Sequence, residues 1–442
     1  MTGTAERVLD VFVNDRLVGQ LREADDIWSF EYATSWQQAP DAFSLAPGLA
    51  KETTLHTDGS SMRRVQWYFD NLLPEELLRD VLAKEAKIDT SDAFALLQHF
   101  GAESAGSLVL LAPGAGPAER GRKPLTRAAL QQRISNLPHA SLSSDAPKRM
   151  SLAGAQHKMV VIKAGDDLYE PLAGTPSTHI IKPNALSPDY PSSVMNEFFI
   201  MRLAHAVGLV VPEVDRFYTP APVYLVERFD RTLSHDVQRL HIIDSCQLLD
   251  KSRAFKYQQA NLNTLGEAIR QCRAKTVARV QLYRWLLFNV IVGNGDNHLK
   301  NISFRVSSAG IELAPFYDLL STSVYATPTY AHQNATWPRV EMAVSIEGAH
   351  HFNDITRDKL LKAGETLGLK RSTAERELDA MARDLPKQAD ILFGNITQSF
   401  ETFIQDSPSP DAVRQVQGGE LMLLRAIQRI VVHDMLERIQ QR

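Results

Sequence analysis

The sequence predicts an α+β protein in which a β-rich lobe is followed by a helical lobe, with an additional α+β domain in front of both. Three patterns lead there. Apolar and polar residues alternate in several short runs before Arg231, helical periodicity takes over from Thr232, and two loop-forming stretches break the chain, Pro113-Gly-Ala-Gly-Pro117 and the serine-rich 141–144. The breaks give an N-terminal α+β domain with its linker over 1–145, a β-rich lobe over 146–231, and an all-helical lobe over 232–442.

Each element has its own signal. Residues 8–13 and 17–21 alternate around Asn14-Asp15, a hairpin, and 27–32 reads as a further strand. Leu73-Pro74-Glu75-Glu76 opens a helix with proline at its first position, and a second helix runs from Thr90 or Ser91 as N-cap to Gly101 as C-cap. A short strand at 107–111 closes this domain, and 125–137 reads as a helix. Residues 159–163, 168–172 and 179–182 are three short strands, the first two joined by a turn at Gly165-Asp166-Asp167. Ser192 or Ser193 caps a helix ending at Gly208, and 223–229 is another strand. The apolar run 277–292 and the amphipathic 421–439 anchor the helical lobe.

Charged residues are 23% and hydrophobic residues 44% of 442, the composition of an ordinary globular protein with two or three domains. A net charge of -4 argues against a chain that holds nucleic acid through its own basic surface. Cys246 and Cys272 form no metal-ligand spacing and read as reduced thiols. The first residues lack an apolar signal region, and no apolar run approaches the ~18 residues of a membrane span. A cytoplasmic protein without membrane contact is the expectation.

The chemistry concentrates in Val290-Ile-Val-Gly-Asn-Gly-Asp-Asn-His-Leu-Lys-Asn301, where an apolar helix breaks at glycines into a loop dense in polar groups. Asp296 and Asn301 stand five apart, the separation of the aspartate and asparagine in a protein-kinase catalytic loop. Phosphoryl transfer asks a protein to position groups and neutralise charge, so one carboxylate must orient the nucleophile while separate oxygens hold Mg²⁺. Asp318, in Leu313-Ala-Pro-Phe-Tyr-Asp-Leu319 after the hairpin-like 302–313, sits where the metal-binding aspartate should follow. Upstream, Ser151-Leu-Ala-Gly-Ala-Gln-His-Lys158 is either a phosphate-cradling loop or a plain surface turn. Lys182 and Glu197 match the Lys–Glu pair that aligns ATP phosphates, or else form a solvated ion pair. Glu227-Arg228-Phe229 is placed like a hinge whose backbone binds adenine, or is an ordinary strand end. Trp285 and Phe288 read as core, and His350-His351 has no metal-binding context.

Arg149-Met-Ser-Leu-Ala-Gly-Ala-Gln-His-Lys158, Asn196-Glu197, Val226-Glu-Arg-Phe-Asp-Arg231 and Gly295-Asp-Asn-His-Leu-Lys-Asn301 together resemble the HipA family, the kinase toxins of HipBA-type toxin–antitoxin systems. Phe69-Asp-Asn-Leu-Leu-Pro74 and Phe100-Gly-Ala-Glu-Ser-Ala-Gly106 look like that family's N-terminal domain, so the resemblance covers nearly the whole chain. It implies a bilobal protein-kinase-like fold and ATP-dependent serine/threonine kinase activity. Asp296 would be the catalytic base, Asn301 and Asp318 the Mg²⁺ ligands, and Lys182, paired with Glu197, the contact to the ATP phosphates. Ala153, Gly154, Ala155, Gln156, His157 and Lys158 would form the phosphate loop, and Glu227, Arg228 and Phe229 the hinge. His298, Leu299, Lys300 and Asn301 with Tyr317, Asp318, Leu319 and Leu320 would complete the nucleotide site. Ser151 matches a serine whose autophosphorylation displaces the loop. The resemblance further implies a HipB-like helix-turn-helix antitoxin that carries the operator DNA contact, and an aminoacyl-tRNA synthetase as substrate, with growth arrest or persistence as the result.

One segment departs from the family: His241-Ile-Ile-Asp-Ser-Cys-Gln247 stands where members often carry His-Gln-Glu-Asp before Cys-Gln. That puts any polar role at Ile242 and Ile243 in doubt, and with it the choice of substrate. Two alternatives remain open: a small-molecule or lipid kinase with a similar catalytic loop, and a catalytically silent corepressor bound to the antitoxin.

Overall fold

The computed structural model describes residues 6–115, 120–143, 146, 150, 154, 156–172, 174–232, 236–407 and 409–440. They fall into two compact units, Met1–Lys182 with Glu227–Phe255 and Ser303–Ala314, and Pro183–Val226 with Lys256–Ile302 and Pro315–Arg442.

The first unit holds an antiparallel five-stranded sheet. Strands β1 (Arg7–Val13), β2 (Arg16–Ala24), β3 (Ile27–Tyr32), β4 (Leu55–Thr57) and β5 (Leu108–Leu111) lie in the order β4-β3-β2-β1-β5. Alternation sends Leu9, Val11, Leu21 and Phe30 into the core at zero exposure. The β1–β2 turn forms where Asn14 takes φ +53, a left-handed backbone that asparagine tolerates better than most residues. Its side-chain oxygen then accepts the Arg239 amide at 2.9 Å. A second group of strands, β6 (Arg122–Pro124), β7 (Met159–Ala164), β8 (Asp167–Pro171) and β9 (His179–Pro183), pairs antiparallel in the order β9-β7-β8-β6.

Ile242 and Ile243 belong to the strand Ile242–Asp244, paired with Arg305 and Phe304 and buried. Apolar side chains are what such a strand requires, so the departure from the family pattern is accommodated by packing. Beside it, fully buried His241 bonds to Ser107 Oγ at 2.9 Å and to the Leu45 carbonyl at 2.9 Å, and burial pushes its pKa down to about 4.

Five charged residues fix the segment after Glu227. Glu103 accepts from Arg228 at 2.8 Å, Arg231 at 2.9 Å and Arg239 at 3.2 Å, and Asp230 accepts from Arg228 at 2.7 Å. All are buried. Burial disfavours the Asp230 carboxylate, yet Arg228, Arg231 and the Gly106 amide hold its pKa below the ordinary value. Gly106 itself, at φ +75, has no room for a side chain: a Cβ would lie 2.6 Å from the Ile242 carbonyl.

The second unit is mainly helical. The Ser193–Ala206 helix, the strand pair β10 (Val214–Tyr218) and β11 (Pro222–Glu227), the apolar Lys275–Ile291 helix and the long Arg371–Asp406 and Pro410–Ala426 helices form its frame. The lobe expected to be all-helical also carries short strands. Glu341–Ile346 alternates exposed and buried residues and pairs with Ala349–His351, while Ser303–Ser307 and Gly310–Leu313, within the first unit, form the expected hairpin. Trp285 and Phe288 are fully buried core residues, and Cys246 and Cys272 are buried free thiols.

Three helix starts differ from expectation. The helix after Leu73 runs Glu76–Ala86 with extended Glu75 as N-cap, which leaves Pro74 outside it. Asp92, rather than Thr90 or Ser91, caps Ala93–Phe100, because its carboxylate accepts the Ala95 amide. Ser192 makes no side-chain cap to the next helix; the Asn184 side chain accepts the Val194 amide at 2.9 Å instead.

Candidate active site

The Lys275–Ile291 helix delivers the polar loop. Gly293, at φ +67, turns the chain where a Cβ would lie 2.5 Å from Val431 Cγ1, and a Cβ on Gly295 would lie 2.8 Å from the Glu341 carbonyl. The glycines are therefore demanded by backbone conformation and close approach. The loop is then pinned by its own polar side chains. Thr322 Oγ1 accepts the Gly295 amide at 2.7 Å, Asn294 Oδ1 accepts the Asp296 amide at 3.1 Å, and Asn294 Nδ2 donates to Asn289 Oδ1 at 2.7 Å.

Asp296 and Asn301 meet as the spacing predicts. A 3₁₀ turn over Leu299–Asn301 brings Asn301 back, and its Nδ2 donates to the Asp296 carbonyl at 2.9 Å. That commits the amide end of the Asn301 side chain and leaves the carbonyl end for a cation. Lys300 is buried, and its carbonyl accepts the Tyr317 hydroxyl at 2.7 Å, which ties this loop to the one carrying Asp318. Asp318 takes φ +58. Asn196 clamps the chain just beyond it: its Oδ1 accepts the Ser321 amide at 2.8 Å and its Nδ2 donates to the Ser321 carbonyl at 2.9 Å.

Electrostatics ties the group together. Burial raises the Asp296 carboxyl pKa, His298 and the Tyr257 hydroxyl pull it down, Asp318 pushes it up, and Lys256 pulls it down. Burial and Asp318 both disfavour the Asp296 carboxylate, and a hard cation such as Mg²⁺ held by the Asp318 and Asn301 oxygens would relieve that. Among the described residues no group of three or more His, Cys, Asp or Glu side chains is placed to hold a metal. A Mg²⁺ ion shared between one or two protein ligands and phosphate oxygens does not need such a cage. Glu197, buried on the Ser193–Ala206 helix, lies against Tyr224: burial, the charges of Glu197 and Asp318, and a hydrogen bond to Glu197 raise that phenol's pKa well above its ordinary value.

Leu319 and Leu320 follow Asp318 in the second unit, and the remaining described members of the predicted set lie in the first. Lys182 is buried at the end of β9. The Arg228 amide donates to the Thr178 carbonyl at 2.9 Å and its side chain sits in the ionic cluster, so Arg228 offers a hinge neither its amide nor its guanidinium. Gly154 takes φ +104, a left-handed backbone that favours glycine, and a Cβ there would meet only the flexible end of the Lys158 side chain, at 2.7 Å. Burial lowers the His157 pKa. Ser151, Ala153 and Ala155 lie outside the described residues. Sequence reasoning missed Thr322, Lys256, Tyr257 and Tyr224, none of which carries a local signal, and it saw Asn196 without its clamping role.

Comparison with known proteins places this geometry. Residues 150–389 match the HipA-like C-terminal domain, and residues 9–111 match the HipA N-terminal domain. The chain belongs to the HipA family. It is 30% identical over 401 residues to the serine/threonine-protein kinase toxin HipA of Shewanella oneidensis, covering 86% of this chain and 88% of that one. It is also 35% identical over 335 residues to Y4mE of Sinorhizobium fredii, covering 72% and 78%. A chain in the solved complex of Shewanella oneidensis HipA, HipB and operator DNA matches with a TM-score of 0.74 at 26% identity, covering 97% of this chain and 99% of that one. The HipA family fold is thus the kinase-like α+β fold expected from the sequence. Among the described residues no helix is long and apolar enough to cross a membrane.

Proposed function

We propose that this chain is an ATP-dependent serine/threonine protein kinase, the toxin of a toxin–antitoxin pair. The observation that carries the reading is the placement of Asp296 and Asn301 in one loop, where Asn301 Nδ2 donates to the Asp296 backbone carbonyl at 2.9 Å, and the tie of that loop to the Asp318 segment through the Tyr317 hydroxyl on the Lys300 carbonyl at 2.7 Å. Asn301 and Asp318 would hold Mg²⁺, which supplies neutralisation of the phosphate charge when bound. In this proposal Asp296 would orient the acceptor hydroxyl and take its proton, Lys182 is assigned to the phosphates, and the backbone around Glu227 and Phe229 to the adenine. Antitoxin binding by a HipB-like helix-turn-helix protein, which would make most of the operator contact, agrees with the chain's net charge of -4. An aminoacyl-tRNA synthetase is the proposed acceptor protein, its modification arresting growth in the cytoplasm.

The reading is tested by phosphotransfer from labelled ATP. Asp296→Asn loses at least about 10²-fold, the range for a positioned general base, and abolishes growth inhibition. Phosphoproteomics after brief induction, wild type against Asp296→Asn, identifies the acceptor; wild-type phosphotransfer in the variant refutes the assignment. Ser151 is the proposed autophosphorylation site, since a phosphate of about -1.5 to -2 charges beside the Gly154–Lys158 loop repels the nucleotide. The modified chain then binds ATP more weakly than the unmodified one, and equal affinity of the two forms removes the switch.

A further inference from the structure

The carboxylate assigned to the acceptor hydroxyl already has a hydroxyl on it. Tyr257 Oη donates to Asp296 Oδ1 at 2.7 Å. The other groups that act electrostatically on this carboxylate are His298, Lys256 and Asp318. A tyrosine phenol, like a serine or threonine hydroxyl, offers a single O–H donor to the carboxylate. The tyrosine is steered there by its surroundings. Its ring meets His298 edge-on at 4.9 Å, Lys256 Nζ lies 5.0 Å from the ring centroid, and the Lys256 carbonyl accepts the Leu299 amide at 3.2 Å, fastening the segment to the catalytic loop. Yet the residue is 44% exposed, unlike the packed aromatics of the core, so its ring can move toward solvent without opening a cavity.

We infer that Tyr257 is a built-in stand-in for the acceptor, its hydroxyl holding on Asp296 the position that the substrate hydroxyl must take by displacing it. This rests on the reading of Asp296 as the residue that orients the acceptor. The stand-in keeps the carboxylate hydrogen-bonded when no substrate is present and sets a threshold that a docked protein segment crosses more readily than solvent water. A brace that merely shapes Asp296 would act in the opposite direction, because its removal would slow every transfer.

The test uses the full chain with saturating Mg²⁺-ATP and water as the acceptor, read as inorganic phosphate release. In that reaction the water oxygen bonds to the γ-phosphorus, the bond from that phosphorus to the ADP oxygen breaks, and the water proton passes to Asp296. Tyr257→Phe is expected to release phosphate at least threefold faster than wild type, with KM for ATP within twofold, and Tyr257→Leu to do the same. Rates equal to or below wild type in both variants, with Asp296→Asn inactive, overturn the stand-in and leave the kinase reading in place. Phosphate recovered on Tyr257 of the wild-type chain also overturns it, since the residue would then be an acceptor itself. Asp296→Asn with the wild-type rate overturns both readings at once.

Discussion

The ionic cluster around Glu103 and the polar loop around Asp296 are both built from buried or half-buried charges, and they are balanced differently. In the cluster, two carboxylates face three guanidinium groups at 2.7 to 3.2 Å. At Asp296 burial and Asp318 raise the carboxyl against the pull of His298 and Lys256, and an exposed tyrosine donates to its side chain. A polar site that serves the fold satisfies its charges internally; one that serves chemistry leaves demands that a cation, a nucleotide and an acceptor can meet.

That contrast can be broken from the structural side first. Glu103→Gln leaves Arg228, Arg231 and Arg239 buried against Asp230 alone, and uncompensated buried charge of this kind costs about 3–5 kcal/mol. Urea unfolding should show a loss of that order, with ATP binding retained in the folded fraction. A loss under about 1 kcal/mol would mean the cluster is not the anchor described here.

A smaller effect separates a third buried carboxyl from both regions. Glu420 accepts from Tyr218 Oη at 2.8 Å, and burial raises its pKa to about 7 against the hydrogen bond to Tyr218 and the charge of Arg216. Its folded pKa lies above the unfolded one, so between the two the folded chain binds more protons and stability falls as pH rises. The window runs from about 4.5 to about 7, and the contribution is at most ~3 kcal/mol. Glu420→Gln should therefore flatten the stability profile across that window and gain on wild type above pH 7. Parallel profiles for the two proteins would show that Glu420 titrates normally.

Much of this was legible in the sequence, for physical reasons that differ by element. Strands β1 to β3 were readable because one face is buried and the period of two survives in the residues. Asp296 and Asn301 were readable because five residues of loop fix their relation locally. Tyr257 was not, since it reaches Asp296 from 39 positions away and nothing near it in the chain marks the contact. Arg228 read as part of a hinge or strand end, and its cluster with Arg231 and Arg239 was not foreseen, because their shared partner, Glu103, is more than 120 positions upstream. The caps at Asp92 and Asn184 were missed because several polar residues compete near each helix start, and only backbone geometry chooses among them. The strand Glu341–Ile346 is six residues long and lies in a part of the chain that reads as mostly helical, so its alternation was passed over.

On the proposed function, Asp318 and Asn301 complete, with Asp296, a site that would hold Mg²⁺ and ATP together. ATP affinity measured with and without Mg²⁺, for wild type and Asp318→Ala, tests it most directly. Mg²⁺ should strengthen ATP binding to the wild-type chain, and this gain should be largely lost in Asp318→Ala, because Asp318 would help hold the ion that neutralises the phosphate charge. The same Mg²⁺ dependence in both proteins would contradict it.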